Sequence, residues 1–176
     1  MNTLVYDPYI PPWIIKEAGV TQVFGINEIC RNSDYLVTIV PLNKETFHMI
    51  GKEQFKNMKS SSFFVNVCRG SVVDEKALIE ALNQNEIRGA GLDVFEQEPV
   101  DPSNPLLQME NVITAPHIAG SSTRAAWLSR QRASQQVRSV LIGEWPMAGQ
   151  NPEVINKLDT KKQAIGGAGK LTGTPE

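Results

Sequence analysis

Residues 63–70 read Phe-Phe-Val-Asn-Val-Cys-Arg-Gly, so that an apolar run ends in a cation and a glycine. Two later apolar runs also give way to loops with a titratable side chain, because residues 90–95 precede Glu98 and residues 112–115 precede His117. Short apolar runs without strict alternation are typical of parallel strands that are buried on both faces. We therefore predict three buried strands, each followed by a loop that carries one such side chain.

The rest of the chain alternates between strand and helix patterns. Strand candidates are residues 3–6, 22–24, 34–40, 62–67, 89–94 and 112–115. Between them, Asn27 is predicted to cap a short helix through Cys30, Lys52 to Met58 to form a second helix, and Asp74 to cap a third over Glu75–Asn83. Residues 121–142 form the longest predicted helix, with an apolar stripe on one face. This succession predicts an α/β protein with a parallel sheet.

The composition favours a small-molecule partner. The chain has 176 residues, of which 41% are hydrophobic and 20% are charged, so it can bury one core without disulfides or a metal. Its 17 basic and 19 acidic residues form no long run of either sign, which gives no reason to expect nucleic acid or an anionic membrane surface. The sequence contains no Cys/His cluster, and we predict no metal site.

The same sequence features indicate where the protein works. The two cysteines, Cys30 and Cys68, are far apart along the chain and fit a reducing compartment. The N-terminus has no basic leader before an apolar core, and no run approaches the ~18 apolar residues of a membrane span. We therefore expect a cytoplasmic protein with no membrane partner.

The side chains after the three apolar runs fit one reaction. Reducing a 2-keto acid needs a cation for the substrate carboxylate, a proton donor for the nascent alkoxide, and a carboxylate that keeps the donor charged. Arg69, His117 and Glu98 supply these groups in that order. Their plain alternatives are a surface ion pair, a structural histidine and a solvated loop acid. Glu96 competes with Glu98 as the partner of His117, and His48 is predicted to be a packing or surface residue.

Three segments resemble a known family. Residues 66–74, 91–99 and 114–120 closely resemble the signatures of the NAD-dependent D-2-hydroxyacid dehydrogenases, and the match runs from about Leu4 to Ile142. The resemblance implies a Rossmann-like doubly wound parallel sheet, NAD as cofactor, and hydride transfer between a D-2-hydroxy acid and its 2-keto acid. The substrate would be like that of a glyoxylate/hydroxypyruvate reductase or a phosphoglycerate dehydrogenase, and the protein would be a homodimer.

The resemblance also assigns residues. It implies that Arg69, Glu98 and His117 are catalytic. The residues that it places beside the cofactor are Asp7, Pro41, Thr46, Val67, Cys68, Arg69, Asp93, His117, Ala119 and Gly120. Asp7 resembles the acid that binds the ribose hydroxyls, which would favour NAD over NADP by repelling a 2′-phosphate. Two plain alternatives stay open, because Asp7 could close a turn and Asp93 could cap the loop that follows it.

By comparison with the family, the chain lacks the substrate domain and the first βα unit with its glycine-rich turn. Residues 3–7 resemble the family's second strand. Because the first strand is central in the order 3-2-1-4-5-6, we expect an incomplete sheet with a gap in its middle. Unpaired buried backbone groups cost roughly 1–3 kcal/mol each. We therefore expect the chain alone to be unstable, unless a complementary segment, a partner chain or a rearranged sheet fills the gap.

We predict a partial dinucleotide-binding domain over residues 1–120, a return helix and C-terminal segment over 121–156, and a flexible tail over 157–176. Two other functions stay open. One is an NAD-sensing scaffold like the C-terminal-binding-protein corepressors, which keep the same catalytic triad. The other is an inactive fragment of a dehydrogenase gene. Turnover of glyoxylate or hydroxypyruvate by the full-length parent would argue against the scaffold, and a longer native polypeptide would eliminate the inactive fragment.

Overall fold

The structure is a computed structural model, and it describes residues 1–149 and 151–154. The predicted tail at 157–176 and part of the predicted segment 121–156 lie outside the described residues. Residues Met1–Ala119 form one compact unit, and the described residues from Gly120 onward belong to a second. Among the described residues, no helix has the length and apolar character needed to cross a membrane.

All six predicted strands are present in the first unit, and each is short. They are β1 (Leu4–Val5), β2 (Thr21–Gln22), β3 (Tyr35–Thr38), β4 (Phe63–Asn66), β5 (Gly89–Leu92) and β6 (Val112–Thr114). Strands β1 and β2 pair in parallel as a two-stranded sheet, and the other four form a parallel sheet in the order β3-β4-β5-β6. The predicted break in the sheet is therefore confirmed, because β1 and β3 do not pair with each other.

Five α-helices follow or connect the strands in the described part of the chain. They are α1 (Pro12–Glu17), α2 (Ile26–Asn32), α3 (Lys52–Asn57), α4 (Glu75–Asn83) and α5 (Thr123–Leu141). Helix α4 has the predicted bounds and the predicted cap, because the Asp74 carboxylate accepts a hydrogen bond from the Ala77 amide at 3.1 Å. Helix α5 lies within the predicted 121–142 and is capped by Ser122, which accepts from the Ala125 amide at 3.0 Å.

One helix prediction was wrong, and one short helix was not predicted. Gly25, not Asn27, occupies the N-terminal cap of α2, and Asn27 lies inside the helix. The Asn27 amide instead bridges to α3, where it donates to Glu53 at 2.7 Å and accepts from Gln54 at 3.2 Å. Helix α1 was not predicted from the sequence. Pro12 occupies the first helical position, where the fixed backbone of proline favours a helix.

The core lies between one face of the four-stranded sheet and helices α2, α3 and α4. Its largest fully buried side chains include Phe64 from β4, Phe55 from α3 and Leu78 from α4. The prediction of strands buried on both faces holds for β5, where no residue is exposed, and was wrong for β3 and β6. Tyr35 on β3 and Ile113 on β6 are 64% and 79% exposed, because residues alternate between the covered face and the open face.

Cys30 provides a test of this core. Its side chain is completely buried, and burial raises the pKa of its thiol to about 11. Because the thiolate is the reactive form, we expect iodoacetamide to label Cys30 only slowly at about pH 8, where roughly a thousandth of it is ionised. Mass spectrometry with and without urea measures this protection. Equal labelling rates under both conditions would mean that the helix α2 side of the core is open.

Candidate active site

The carboxyl ends of four strands lie level with one another. The pairing register aligns Thr38 of β3 with Asn66 of β4, Asn66 with Leu92 of β5, and Leu92 with Thr114 of β6. The loops that carry Arg69, Glu98 and His117 therefore leave the sheet at the same edge. In open parallel sheets this edge is where ligands bind.

Asn66 fixes the turn that presents Arg69. Its side chain is only 1% exposed, and its Oδ1 accepts hydrogen bonds from Thr38 Oγ1 at 3.0 Å and from the Cys68 amide at 3.1 Å. Its Nδ2 donates to the Arg69 carbonyl oxygen at 3.0 Å. No role for Asn66 is predicted from the sequence, although a single amide inside an apolar strand is a usable signal, because a buried polar group needs partners.

Arg69 is exposed, and its guanidinium has no carboxylate within 4.0 Å among the residues that the structure describes. Its Nη1 donates to the Cys68 carbonyl oxygen at 2.6 Å, which holds the side chain close to the turn. The alternative of a surface ion pair is therefore not observed. A guanidinium that keeps unused donors can bind an external carboxylate through two parallel hydrogen bonds.

Gly70 brings the Arg69 turn against the loop that carries Glu98. A Cβ atom at Gly70 would lie 1.9 Å from both the carbonyl carbon and the oxygen of Phe95. Only glycine permits this approach of two backbones. The glycine beside Arg69 is evident in the sequence, but only the fold shows that it packs against Phe95.

Glu98 and His117 form a hydrogen-bonded pair. The distance from His117 Nδ1 to Glu98 Oε2 is 2.8 Å, and the second carboxylate oxygen accepts from the Phe95 amide at 3.1 Å. The hydrogen bond from His117 is the main reason that the pKa of Glu98 lies below its ordinary value, and the charge of Arg69 acts in the same direction while burial opposes it. Glu98, and not Glu96, is thus the acid that contacts His117.

Asp93 holds the loop on which His117 lies. It is buried, and its two carboxylate oxygens accept hydrogen bonds from the amides of Ile118 at 2.8 Å and Ala119 at 2.9 Å. The His117 amide donates to the Asp93 carbonyl oxygen at 2.8 Å, and His117 has a left-handed backbone with a φ of 56°. The structure therefore places Asp93 in its alternative role as the cap of this loop, while contact with the nicotinamide stays a prediction.

The predicted ribose acid and the predicted loop at Pro41 and Thr46 are connected. Asp7 Oδ1 accepts from the Tyr9 amide at 2.9 Å, which is the turn geometry of its alternative role, and Oδ2 accepts no hydrogen bond within the described chain. The Tyr9 hydroxyl hydrogen-bonds to Glu45, next to Thr46. Thr46 Oγ1 donates to the Pro41 carbonyl oxygen at 2.6 Å and closes its own loop.

The model of the family described as "D-isomer specific 2-hydroxyacid dehydrogenase, NAD binding domain" matches residues 1–119 of the chain. The chain belongs to the D-isomer specific 2-hydroxyacid dehydrogenase family. Its relatives in this family include glyoxylate/hydroxypyruvate reductase B of Escherichia coli, which is 54% identical over 131 residues, covering 74% of this chain and 40% of the relative. D-3-phosphoglycerate dehydrogenase of Methanocaldococcus jannaschii is 45% identical over 144 residues, covering 82% of this chain and 27% of the relative.

Solved structures of the family have the same fold. The D-lactate dehydrogenase of Lactobacillus jensenii with NAD+ matches with a TM-score of 0.74 and 32% identity, covering 83% of this chain and 47% of that chain. The predicted α/β fold of Rossmann type is therefore confirmed, as is NAD as the cofactor of this 2-hydroxyacid dehydrogenase domain. The chain spans between about a quarter and a half of the length of the curated relatives that it matches.

The residues of this dehydrogenase domain fit two parts of NAD. Asp7, just after β1, has a carboxylate oxygen without a hydrogen-bond partner among the described residues, as a ribose-binding acid would. Val67, Cys68 and Ala119, which follow the ends of β4 and β6, are the small or apolar residues that would lie beside the nicotinamide. The sequence contains no Gly-x-Gly-x-x-Gly turn for the pyrophosphate. Gly120 belongs to the second unit, and its cofactor contact stays a prediction, like the other residue roles.

Proposed function

We propose that this site transfers a hydride between NAD(H) and a 2-keto acid/D-2-hydroxy acid pair. The observation that carries the proposal is the Glu98–His117 pair, with a distance of 2.8 Å between Oε2 and Nδ1, on the same sheet edge as an Arg69 that has no acid partner in the described chain. An acid–base pair on the same sheet edge as a guanidinium without an acid partner in the described chain suits a substrate that has a carboxylate beside a reducible carbonyl.

Each of the three side chains has a defined role in this reaction. When bound, NADH would supply the hydride that reduces the carbonyl carbon of the substrate. Arg69 binds the substrate carboxylate and polarises the carbonyl. His117 uses Nδ1 to bind Glu98, so its Nε2 is the atom that donates a proton to the developing alkoxide. Glu98 stabilises the imidazolium, and in the direction of oxidation His117 acts as the base.

The substrate class, assembly and location are part of the same proposal. Relatives named glyoxylate reductase, glyoxylate/hydroxypyruvate reductase B and D-3-phosphoglycerate dehydrogenase support a small 2-keto acid as the substrate. We propose a homodimer in the cytoplasm, with no nucleic acid or membrane partner. The 17 basic and 19 acidic residues, which form no long run of either sign, support the absence of a nucleic-acid or membrane partner. The family resemblance supports the homodimer.

A chimera tests this function. In the E. coli glyoxylate/hydroxypyruvate reductase B, the matched 131 residues are replaced by those of this chain. Oxidation of NADH is then measured with glyoxylate, hydroxypyruvate and a phosphorylated 2-keto acid. We expect turnover of at least one of these. A folded chimera that binds NADH but reduces none of them would contradict the proposal and favour an NAD-sensing scaffold.

Arg69 can be tested in the same chimera. Because charge-assisted hydrogen bonds contribute about 1.5–3 kcal/mol each, we expect Arg69→Ala to lower kcat/KM by at least about a hundredfold, mainly through a higher KM for the keto acid. Arg88→Ala is the matched control, since Arg88 is exposed at the opposite end of β5. Equal kcat/KM for the two variants would remove Arg69 from the site.

The Glu98–His117 pair also predicts a pH dependence of stability. Because its pKa is lowered in the folded protein, Glu98 contributes stability above its ordinary value of 4.5, and that contribution is lost as the pH falls through the lowered value. Solvent weakens the effect, since the Glu98 side chain is 39% exposed. We expect His117→Ala to reduce the chimera's free energy of unfolding more at about pH 6 than at about pH 3.5, as measured by urea titration. A loss that is the same at both pH values would contradict the coupling.

A further inference from the structure

A second histidine, His48, lies beside the chain that follows Arg69. The segment from His48 to Ile50 runs along the chain that follows Arg69. The His48 amide donates to the Ser71 carbonyl oxygen at 2.9 Å, and the Ile50 amide donates to the Val72 carbonyl oxygen at 3.1 Å. Asp74 completes this ladder by donating its amide to the Ile50 carbonyl oxygen at 2.9 Å. His48 is thereby fixed to the turn that presents Arg69.

The side chain of His48 connects this ladder to the loop that carries Glu98. His48 Nε2 hydrogen-bonds to Glu96 Oε1, and the imidazole stacks on the ring of Phe47 with 4.0 Å between centroids. The backbone of His48 is left-handed, with a φ of 51°. Residues other than glycine hold such a conformation when surrounding contacts fix it, and here it directs the imidazole towards Glu96.

Glu96 is held from the opposite side by Glu75 at the start of α4. The Glu96 amide donates to Glu75 Oε2 at 3.0 Å, and the Glu75 amide donates to Glu96 Oε1 at 3.4 Å. Asn104 donates its side-chain amide to Glu75 Oε1 at 2.7 Å. Glu96 Oε1 therefore accepts from both the His48 imidazole and the first turn of α4, which fixes its position in two directions.

The position of Glu96 is transmitted to Glu98. The peptide between Phe95 and Glu96 lies directly against Gly70, and the Phe95 amide donates to Glu98 Oε1 at 3.1 Å. A shift of Glu96 would move this peptide and, with it, the carboxylate that contacts His117. Small displacements of this kind are costly for catalysis, because an error of 1 Å in a reacting group can lower a rate about a hundredfold.

We propose that His48, acting through Glu96, is a positioning residue that holds the Glu98 carboxylate in register with His117 and with the Arg69 turn. His48 does not touch the substrate in this role. The inference rests on the proposed function, because Glu98 and His117 are the acid–base pair whose geometry it maintains.

The test compares His48→Ala, His48→Gln and Glu96→Gln, with Lys52→Gln as the matched control. Lys52 forms an exposed ion pair with Glu80 at 2.9 Å and makes no hydrogen bond to the site loops. The first readout is the pKa of the Glu98 carboxyl group, followed by carbon NMR in the chimera, because this chain alone is expected to be unstable. The second readout is the division between kcat and KM for the keto acid in the chimera.

We expect His48→Ala to raise the pKa of Glu98, because its hydrogen bond from His117 is loosened, and to lower kcat about ten- to a hundredfold with little change in KM. His48→Gln keeps a donor near the position of Nε2 and should restore most of both quantities. Glu96→Gln should change the Glu98 pKa and kcat in the same directions as His48→Ala but by less. Lys52→Gln should leave both quantities at their wild-type values.

Three results would overturn the proposal. One is an unchanged Glu98 pKa and kcat in His48→Ala. Another is a loss in Lys52→Gln as large as that in His48→Ala. The third is a failure of His48→Gln to restore the properties lost in His48→Ala. The titration of Glu98 needs no turnover, so an inactive chimera with a Glu98 pKa that responds to His48 would contradict the proposed function and support the positioning role.

Discussion

His117→Gln is expected to lower kcat for keto-acid reduction in the chimera by about 10²- to 10⁴-fold, which is the usual contribution of a general acid. The glutamine amide can still hydrogen-bond to Glu98, but it has no acidic group in place of His117 Nε2 and therefore cannot donate a proton to the alkoxide. The KM for the keto acid should change little, because Arg69 continues to bind its carboxylate. Stopped-flow measurement of NADH absorbance gives both quantities.

Glu98 provides the companion measurement. Glu98→Gln keeps an oxygen within reach of His117 Nδ1 but removes the charge that stabilises the imidazolium, so we expect a smaller fall in kcat of about tenfold or more. Glu110→Gln is the control, since Glu110 is another exposed loop acid in the first unit.

If His117→Gln retained the full kcat at every pH, proton donation would have to come from another group, and the proposed mechanism would be wrong.

Gly70→Ala is expected to reduce the free energy of unfolding of the chimera by about 3 kcal/mol or more, near the upper end of what overpacking costs. The added Cβ would collide with backbone atoms of Phe95 at 1.9 Å, and no flexible side chain is available to move aside. Asn66 holds one side of the contact, because it binds the Arg69 carbonyl oxygen. Moving the turn away from Phe95 would therefore strain a part-buried hydrogen bond as well.

Gly91→Ala is the matched control for this prediction. A Cβ at Gly91 would meet Val65 side-chain atoms at 3.8 Å and 3.9 Å, which is ordinary contact, and Gly91 lies in β5 of the same sheet. Alanine there should leave stability unchanged or raise it slightly, because it reduces the entropy of the unfolded chain. Urea denaturation followed by circular dichroism compares the two. Similar midpoints for both alanine variants would show that the Arg69 turn can move away from Phe95.

The catalytic candidates could be predicted from sequence because each follows an apolar run, and the ends of parallel strands meet at one edge. The contact between Glu98 and His117 also followed from the motif, and the structure has it at 2.8 Å. Asp93 was ambiguous in sequence, since a buried carboxylate at a strand end can contact either a ligand or the following amides. Its two hydrogen bonds to the His117 loop required the fold to be seen.

Other parts of the site depend on contacts between segments that are distant in sequence. The approach of Gly70 to Phe95 and the pairing of His48 with Glu96 join positions about 25 and 48 residues apart, and no local pattern indicates them. Burial on both sheet faces was predicted from the apolar runs alone. That rule holds where helices cover both faces, whereas Tyr35 and Ile113 remain open to solvent here.

Strands β3 to β6 end level with one another, at Thr38, Asn66, Leu92 and Thr114, and the proposed activity therefore depends on correct strand pairing. If β6 slipped by one residue along β5, every side chain of β6 would change faces, and His117 would be carried about 3.3 Å away from its acid. Such a misfolded molecule could retain most of its helices and its mass while being unable to turn over. A preparation of this protein would then contain active and inactive molecules. The fraction of active molecules would measure how many had formed the correct strand register.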